Sequence, residues 1–550
     1  MKKRLLWILP FLIGSICHAE DITIRYKGAT ANVTQQIKDS VKVTVNGACV
    51  NIESLYEDHK LTLLLTGKSD DGQLILKTAG KAKVKLDGLT LTSQEGAPIE
   101  LKNKKKVEVV AVKGTENTLT ITACNDTANH KAATIWAKGK LELSGEGTLN
   151  VIATGDGCRG IKTKKDITIE ELTLNVTTSG NHLGEKPFGF GGFPGSGEGG
   201  MPDFGGGFPG GGFPGGGFPN FGAMRPEGSD SIRAGRFPNF GGGRPNFGGG
   251  RPNFGGGRPN FGGGRPNFGG GRPNFGEGRP NFDGGFPGGG FPNFDAMRPE
   301  DNDSTSEGGF GGFAGKHKYI ASTKGIASKG KITINSGNIT VKTSTAGAEG
   351  IEGKEGIVFN GGNVDVFATD DAINANATIE FNGANVTARS ATNDAVDSNP
   401  EGGFFMPFGG NNNNEETEPA IVIRGGKVYA WSQVGSPEEG LDCDFAPLVI
   451  EGGTIFSVGG GMGEMPSVPS NENAKQPTVL LIGINIVKDE PVSIYNADGK
   501  LIDTVTVPFS LKRSASLVGS PAFKLGNTYT VKTKNYEKTF TLSEQFTTVR

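Results

Sequence analysis

Apolar residues recur along this chain in short alternating runs, and the runs themselves repeat. The stretch from Gly350 to Ala395 shows the repeat most clearly. Ile351 is followed six residues on by Ile357, then by Phe359, an Asn-Gly pair, Val364 and Val366. Ile373 is followed six residues on by Ile379, then by Phe381, Asn-Gly, Val386 and Ala388. The second copy begins 22 residues after the first (373 − 351). Alternation at period two predicts strands. A period in the low twenties with a glycine turn in each unit predicts strands stacked unit on unit, as in a β-solenoid.

The same six-residue step joins Ile135 to Leu141, Ile161 to Ile167 and Ile326 to Ile332. A further apolar column follows at Leu174, Ile339, Val364, Val386, Val428 and Ile455. Gly337, Gly361-Gly362, Gly383, Gly425-Gly426 and Gly452-Gly453 fall in the turns, where positive φ or close backbone approach favours glycine. No segment with helical periodicity competes with this pattern.

The pattern divides the chain into six segments. Residues 1–19 open on Met-Lys-Lys-Arg, continue in an apolar run and end on Cys17-His18-Ala19, the form of a secretory signal peptide. Residues 20–95 are strand-rich with poor spacing and read as an N-terminal β cap and first units. Residues 96–180 are regular units. Residues 181–316 carry six Arg-Pro-Asn-Phe units among glycines. This segment is expected to stay disordered, because it cannot bury enough surface to offset its ordering entropy. It reads as a spacer, or as a sticky element acting through Arg and Phe. Residues 317–470 are regular units carrying the candidate site, interrupted by a smaller insertion from Pro400 to Pro419. Residues 471–550 read as the last units and a C-terminal cap.

The formal net charge of the 550 residues is −2, which gives no ground for a nucleic-acid partner. No apolar run after the leader is long enough to span a bilayer. The expected destination is therefore outside the cell, on its surface, or in the periplasm. The mature chain keeps Cys49, Cys124, Cys158 and Cys443, none in C-x-x-C spacing. Nucleophile-elbow, zinc-protease and phosphate-loop motifs are absent, so no catalytic residue is nominated.

Aligning the units on Ile161, Ile326, Ile351, Ile373, Val396 and Leu441 brings charged residues into register. Two positions earlier stand Arg159, Lys324, Glu349, Asp371, Asp394 and Glu439. One position later stand Lys162, Ala327, Glu352, Asn374, Asp397 and Asp442, with Asp370, Glu438 and Asp444 alongside. Rungs lie about 4.8 Å apart, so these carboxylates repel by about 1 kcal/mol in water and several in a drier groove. An all-oxygen cluster of this kind suits Ca²⁺, with Glu349, Glu352, Asp370, Asp371, Asp394, Asp397, Glu439, Asp442 and Asp444 as candidate ligands. The alternative is that these side chains splay into water around the turns. A second column, Lys342, Phe367, Arg389 and Trp431, falls on the outward phase of its strands. Such a row suits a sugar polymer, with rings on pyranose faces and cations on carboxylates. An ordinary solvated face is the competing reading. Trp136 reads as capping or core.

The unit pattern, with Thr-Asp-Asp-Ala-Ile at Thr369 to Ile373 and Gly-Leu-Asp-Cys-Asp at Gly440 to Asp444, resembles a bacterial carbohydrate-binding domain family of right-handed parallel β-helices. The opening Ile22-Thr-Ile-Arg-Tyr, Val43 to Gly47, and Ser520 to Thr530 fit the same family. The resemblance implies an all-β, pectate-lyase-like fold, Ca²⁺ binding and an acidic plant polysaccharide such as polygalacturonate as partner. Asn374 and Ala327 depart from an all-acidic column. The leading expectation is a non-catalytic, exported polysaccharide-binding protein. The alternatives are a calcium-dependent polysaccharide lyase using Arg389 or Lys342 as base, and a structural adhesin acting through the glycine-rich segment.

Overall fold

A computed structural model describes residues 20–37, 39–125, 131–184, 319–400, 418–444, 446–461 and 466–550. The leader, the Arg-Pro-Asn-Phe units and most of the smaller insertion lie outside the described residues. Among the described residues the regular structure is all strand, without helix. Among the described residues no helix is long and apolar enough to cross a membrane.

Each repeat unit contributes one strand to each of three parallel ladders. In the first ladder Ile161, Ile326, Ile351, Ile373, Val396 and Leu441 are successive partners. In the second the partners are Leu141, Ile167, Ile332, Ile357, Ile379, Ile421 and Leu448. In the third they are Leu149, Leu174, Ile339, Val364, Val386, Val428 and Ile455. The apolar columns read from the sequence are therefore lateral neighbours. Every one of these residues is at most 2% exposed, so the columns are the core. Each such side chain contributes about 1.5–3 kcal/mol of burial. Phe359 and Phe381 stack on adjacent rungs at 5.0 Å and 5°, which adds about 0.5–1.5 kcal/mol.

Outward positions hold the rungs together differently. Asn385 donates its amide to Asn363, and Asn363 to Asn338, both at 2.9 Å. The turns need glycine where rungs crowd. Gly362 has φ 87°, and a Cβ there would lie 2.6 Å from the Gly337 carbonyl oxygen.

Ile161 and Ile326 are 165 residues apart in sequence and one rung apart in the ladder. The flanks of that insertion, Leu183–Gly184 and Tyr319–Ala321, pair antiparallel. Towards the N-terminus the parallel register runs further than the irregular spacing suggests. Ile22–Lys27 pairs parallel with Leu61–Ser69, and Cys49–Ser54 with Gln73–Thr78. Two antiparallel hairpins, Ile22–Lys27 with Thr30–Gln35 and Val41–Asn46 with Cys49–Ser54, finish that end.

At the C-terminal end, where the pattern predicts last units and a cap, Leu511–Gly519 pairs antiparallel with both Thr454–Gly459 and Thr478–Ile486. Pro491–Asn496, Leu501–Thr506, Thr528–Thr533 and Tyr536–Thr541 form a separate antiparallel sheet. An antiparallel partner occupies the last open edge without presenting a new rung to extend.

Candidate functional site

The first ladder carries the charged columns. Lys162, Ala327, Glu352, Asn374, Asp397 and Asp442 are successive partners, and Lys324 pairs with Glu349. Glu349, Glu352, Asp371, Asn374, Asp394, Asp397 and Glu439 are all buried, as are Arg159, Lys162 and Lys324. Asp370, Asp442 and Asp444 are half-buried. The column is thus drier than an alternating solvent-facing pattern implies. At an effective dielectric near 20, two charges one rung apart repel by about 3–4 kcal/mol.

The column divides into two electrostatic zones. At its N-terminal end the chain supplies its own cations. Lys324 Nζ lies 3.1 Å from both carboxylate oxygens of Glu349 and 2.7 Å from Glu352. Lys354 reaches Glu352 at 2.6 Å. Burial opposes ionisation of Glu352, but Lys324 and Lys354 more than offset it and hold this carboxyl below the usual range. Lys324 and Lys354 thus hold Glu352 ionised, whereas burial pushes the Glu349 carboxyl up despite Lys324 beside it. The sequence aligned the lysine with the glutamates without revealing that they touch. Further along, burial together with Arg159 and Lys329 pushes the Lys162 amine down to about 5. Arg159 donates to Ser322 Oγ at 2.7 Å.

The C-terminal zone lacks such partners. Among the described residues no Lys or Arg ion-pairs with Asp370, Asp371, Asp394, Asp397, Glu438, Glu439, Asp442 or Asp444. Amides make up part of the difference. Asn374 donates to Asp371 Oδ2 at 3.2 Å and to Asp397 Oδ2 at 2.9 Å. Asn399 donates to the same Asp397 oxygen at 2.9 Å. The Glu439 backbone N–H donates to Asp394, and that of Ser467 to Glu439 Oε2 at 2.6 Å. Asp371 Oδ1 and Asp397 Oδ1 are buried with no hydrogen-bond partner. Burial, then neighbouring carboxylates, push Asp371, Asp394 and Asp397 well above the ordinary carboxyl range. Burial and Asp442 push Glu439 up to about 8 and Asp444 to about 6.

Among the described residues, no three His, Cys, Asp or Glu side chains are already gathered into a metal cage. The donor set nevertheless fits a hard cation: it is all oxygen, it is under-neutralised, and two of its buried oxygens are orphaned.

The outward column of the third ladder is Lys342, Phe367, Arg389 and Trp431, in register. Lys342 is exposed and Phe367 half-buried. Arg389 stands 5.6 Å over the Phe367 ring and 3.3 Å from Asp365. Trp431 is only 5% exposed, which corrects its expected place on an open face. It packs with Phe456, Val458, Val479 and Leu481, and donates Nε1–H to the Phe456 carbonyl at 3.2 Å. The antiparallel C-terminal strands cover this end of the face, which the local alternation could not reveal. Tyr429, two residues earlier, is the half-buried aromatic there, with Lys427 Nζ 5.5 Å from its ring centre. Trp136, read as capping or core, is buried against Ala97 and Ala133.

A short turn, Thr369 to Ala372, joins the third ladder to the first, so Phe367 and the acidic column flank one edge. A family model described as "Carbohydrate-binding domain-containing protein" matches residues 46–186 and 292–395. The matched stretches make up less than half of the 550 residues. No curated protein matches. Among solved structures, the gadolinium derivative of a polysaccharide lyase-like protein from C. thermocellum is similar at 14% identity and a TM-score of 0.35. It covers 68% of this chain and 92% of its own. A likeness that weak bears on neither fold nor function.

Several participants carried no sequence signal. Lys354 and Ser467 lie off the aligned columns. His182 borders the long insertion, yet its ring accepts from the Thr323 N–H at 3.0 Å and lies 2.9 Å from the Ala346 carbonyl.

Proposed function

We propose that the repeat units wind into a right-handed parallel β-helix whose acidic edge takes up Ca²⁺ and whose adjoining face binds an acidic polysaccharide of the polygalacturonate type. The protein acts outside the cytoplasm as a binding protein rather than an enzyme. One observation carries the reading: the C-terminal zone of the column buries carboxyl groups that pair with no Lys or Arg among the described residues, whereas the N-terminal zone is paired by Lys324 and Lys354. A divalent cation is what such a zone lacks. Asp371, Asp394, Asp397, Glu439, Asp442 and Asp444, with Asp370, would hold it. Bound Ca²⁺ supplies positive charge that attracts uronate carboxylates. Lys342 and Arg389 add cations on the same side, and Phe367 offers a ring to a pyranose face.

The test is retention of the mature chain on immobilised polygalacturonate, with and without a calcium chelator. Retention that chelator abolishes, that added Ca²⁺ restores, and that Asp371→Ala and Asp397→Ala weaken supports the reading. Equal retention in chelator would remove Ca²⁺ from it, and no retention would remove the acidic glycan.

A further inference from the structure

We propose that Tyr429 and Lys427 form a second sugar subsite, so that the face grips an acidic oligosaccharide spanning several residues rather than a single uronate. This rests on the reading of the face as an acidic-glycan surface.

The same device occurs twice there. Phe367 carries the Arg389 guanidinium at 5.6 Å from its ring centre, and Tyr429 carries the Lys427 ammonium at 5.5 Å. Both rings are half-buried, which leaves an edge or face for a ligand. Phe367 pairs with Arg389, and Arg389 with Trp431, so the two devices belong to one ladder. Tyr429 lies two rungs from Phe367 and two residues back along the strand. With about 4.8 Å per rung and about 3.3 Å per residue, the two rings stand roughly 12 Å apart. A single pyranose cannot touch both, whereas an oligomer can.

Tyr429 is also held in place. Its ring stacks on Trp431 at 5.6 Å and 19°, and Trp431 is itself locked by its bond to Phe456 and by the core around it. A ring ordered before the ligand arrives loses little entropy on binding. Lys427 extends the Asn338–Asn363–Asn385 ladder by one rung and is exposed, so its charge is available to a carboxylate. Between the two devices, Thr387 and Arg389 continue the polar surface. Filling two linked subsites makes the second contact intramolecular, so affinity should climb with chain length once the span is covered.

The experiment is calorimetric titration of the mature, Ca²⁺-supplemented protein with galacturonate oligomers of one, two, three and six residues. The wild type is expected to bind the hexamer at least tenfold more tightly than the dimer. Tyr429→Ala and Lys427→Ala should each weaken the hexamer three- to tenfold and leave the dimer unchanged. Tyr429→Phe, which keeps the ring, should bind like the wild type. An unchanged dimer affinity also shows that Tyr429→Ala is folded. Equal loss for dimer and hexamer, or hexamer binding unmoved by either alanine, overturns the second subsite while leaving the first. Absence of binding at every length in the wild type overturns the acidic-glycan reading itself, and this inference with it.

Discussion

Replacing Glu439 with glutamine tests the electrostatics of the acidic zone at a single atom. Burial, and then Asp442, raise this carboxyl from an ordinary 4.5 to about 8 in the folded chain. The sign is the reverse of a salt-bridged carboxylate. Below about pH 4.5 the group is protonated in both states and costs nothing. Between 4.5 and 8 the unfolded chain releases its proton while the folded chain retains it, so stability falls as pH rises. Above 8 the loss is complete, with a ceiling of about 5 kcal/mol at 1.36 kcal/mol per unit. Glutamine keeps the shape and the carbonyl that accepts the Ser467 N–H at 2.6 Å. In chelator, Glu439→Gln should match the wild type at pH 4 and exceed it by several kcal/mol at pH 8. Urea unfolding at pH 4, 6 and 8 measures this. With Ca²⁺ present the gap should narrow, because a cation neutralises the native carboxylate. Parallel pH curves, or a variant less stable than the wild type at pH 8 in chelator, would refute the reasoning.

Three further changes probe other parts of the account. Lys324→Met strands Glu349 in the interior and leaves Glu352 to Lys354 alone, and should cost about 3–5 kcal/mol in urea unfolding at neutral pH, less at pH 4 where Glu349 is protonated; a stable variant at neutral pH contradicts the internal pairing. Trp431→Ala should lower stability by about 3–5 kcal/mol, since a core side chain is lost; loss of glycan binding at unchanged thermal stability would return Trp431 to the ligand face. Asn374→Asp places a third carboxylate between Asp371 and Asp397, and should lower the melting temperature in chelator at pH 8, with recovery in Ca²⁺; a melting temperature insensitive to the change in both buffers contradicts the crowding.

The ladders were legible because an inward Ile or Val is needed on every rung, and that need repeats at the unit length. Ile351, Ile373 and Val396 announce their register without any knowledge of the turns between them. The N-terminal units obey the same pairing, but their turns vary in length, which blurs the period while leaving alternation intact. The charged columns were legible as columns. Which charges meet was not, because rung register fixes Cα neighbours and leaves the reach of Lys324 and Lys354 open. Trp431 was misplaced for a different reason. Alternation within its strand does point it outward, but strands from beyond Thr478 fold over that outside. Ser467 and His182 come from turns, where no periodicity constrains the side chain.

Anomalous diffraction from crystals of the protein soaked in Tb³⁺, a luminescent stand-in for Ca²⁺, tests the division of the column most directly. Peaks are expected within ligand distance of Asp371, Asp394, Asp397, Glu439 or Asp442, and none beside the lysine-paired Glu349 and Glu352. Peaks at the lysine-paired glutamates, or an acidic zone that stays empty at saturating Tb³⁺ and neutral pH, would contradict it.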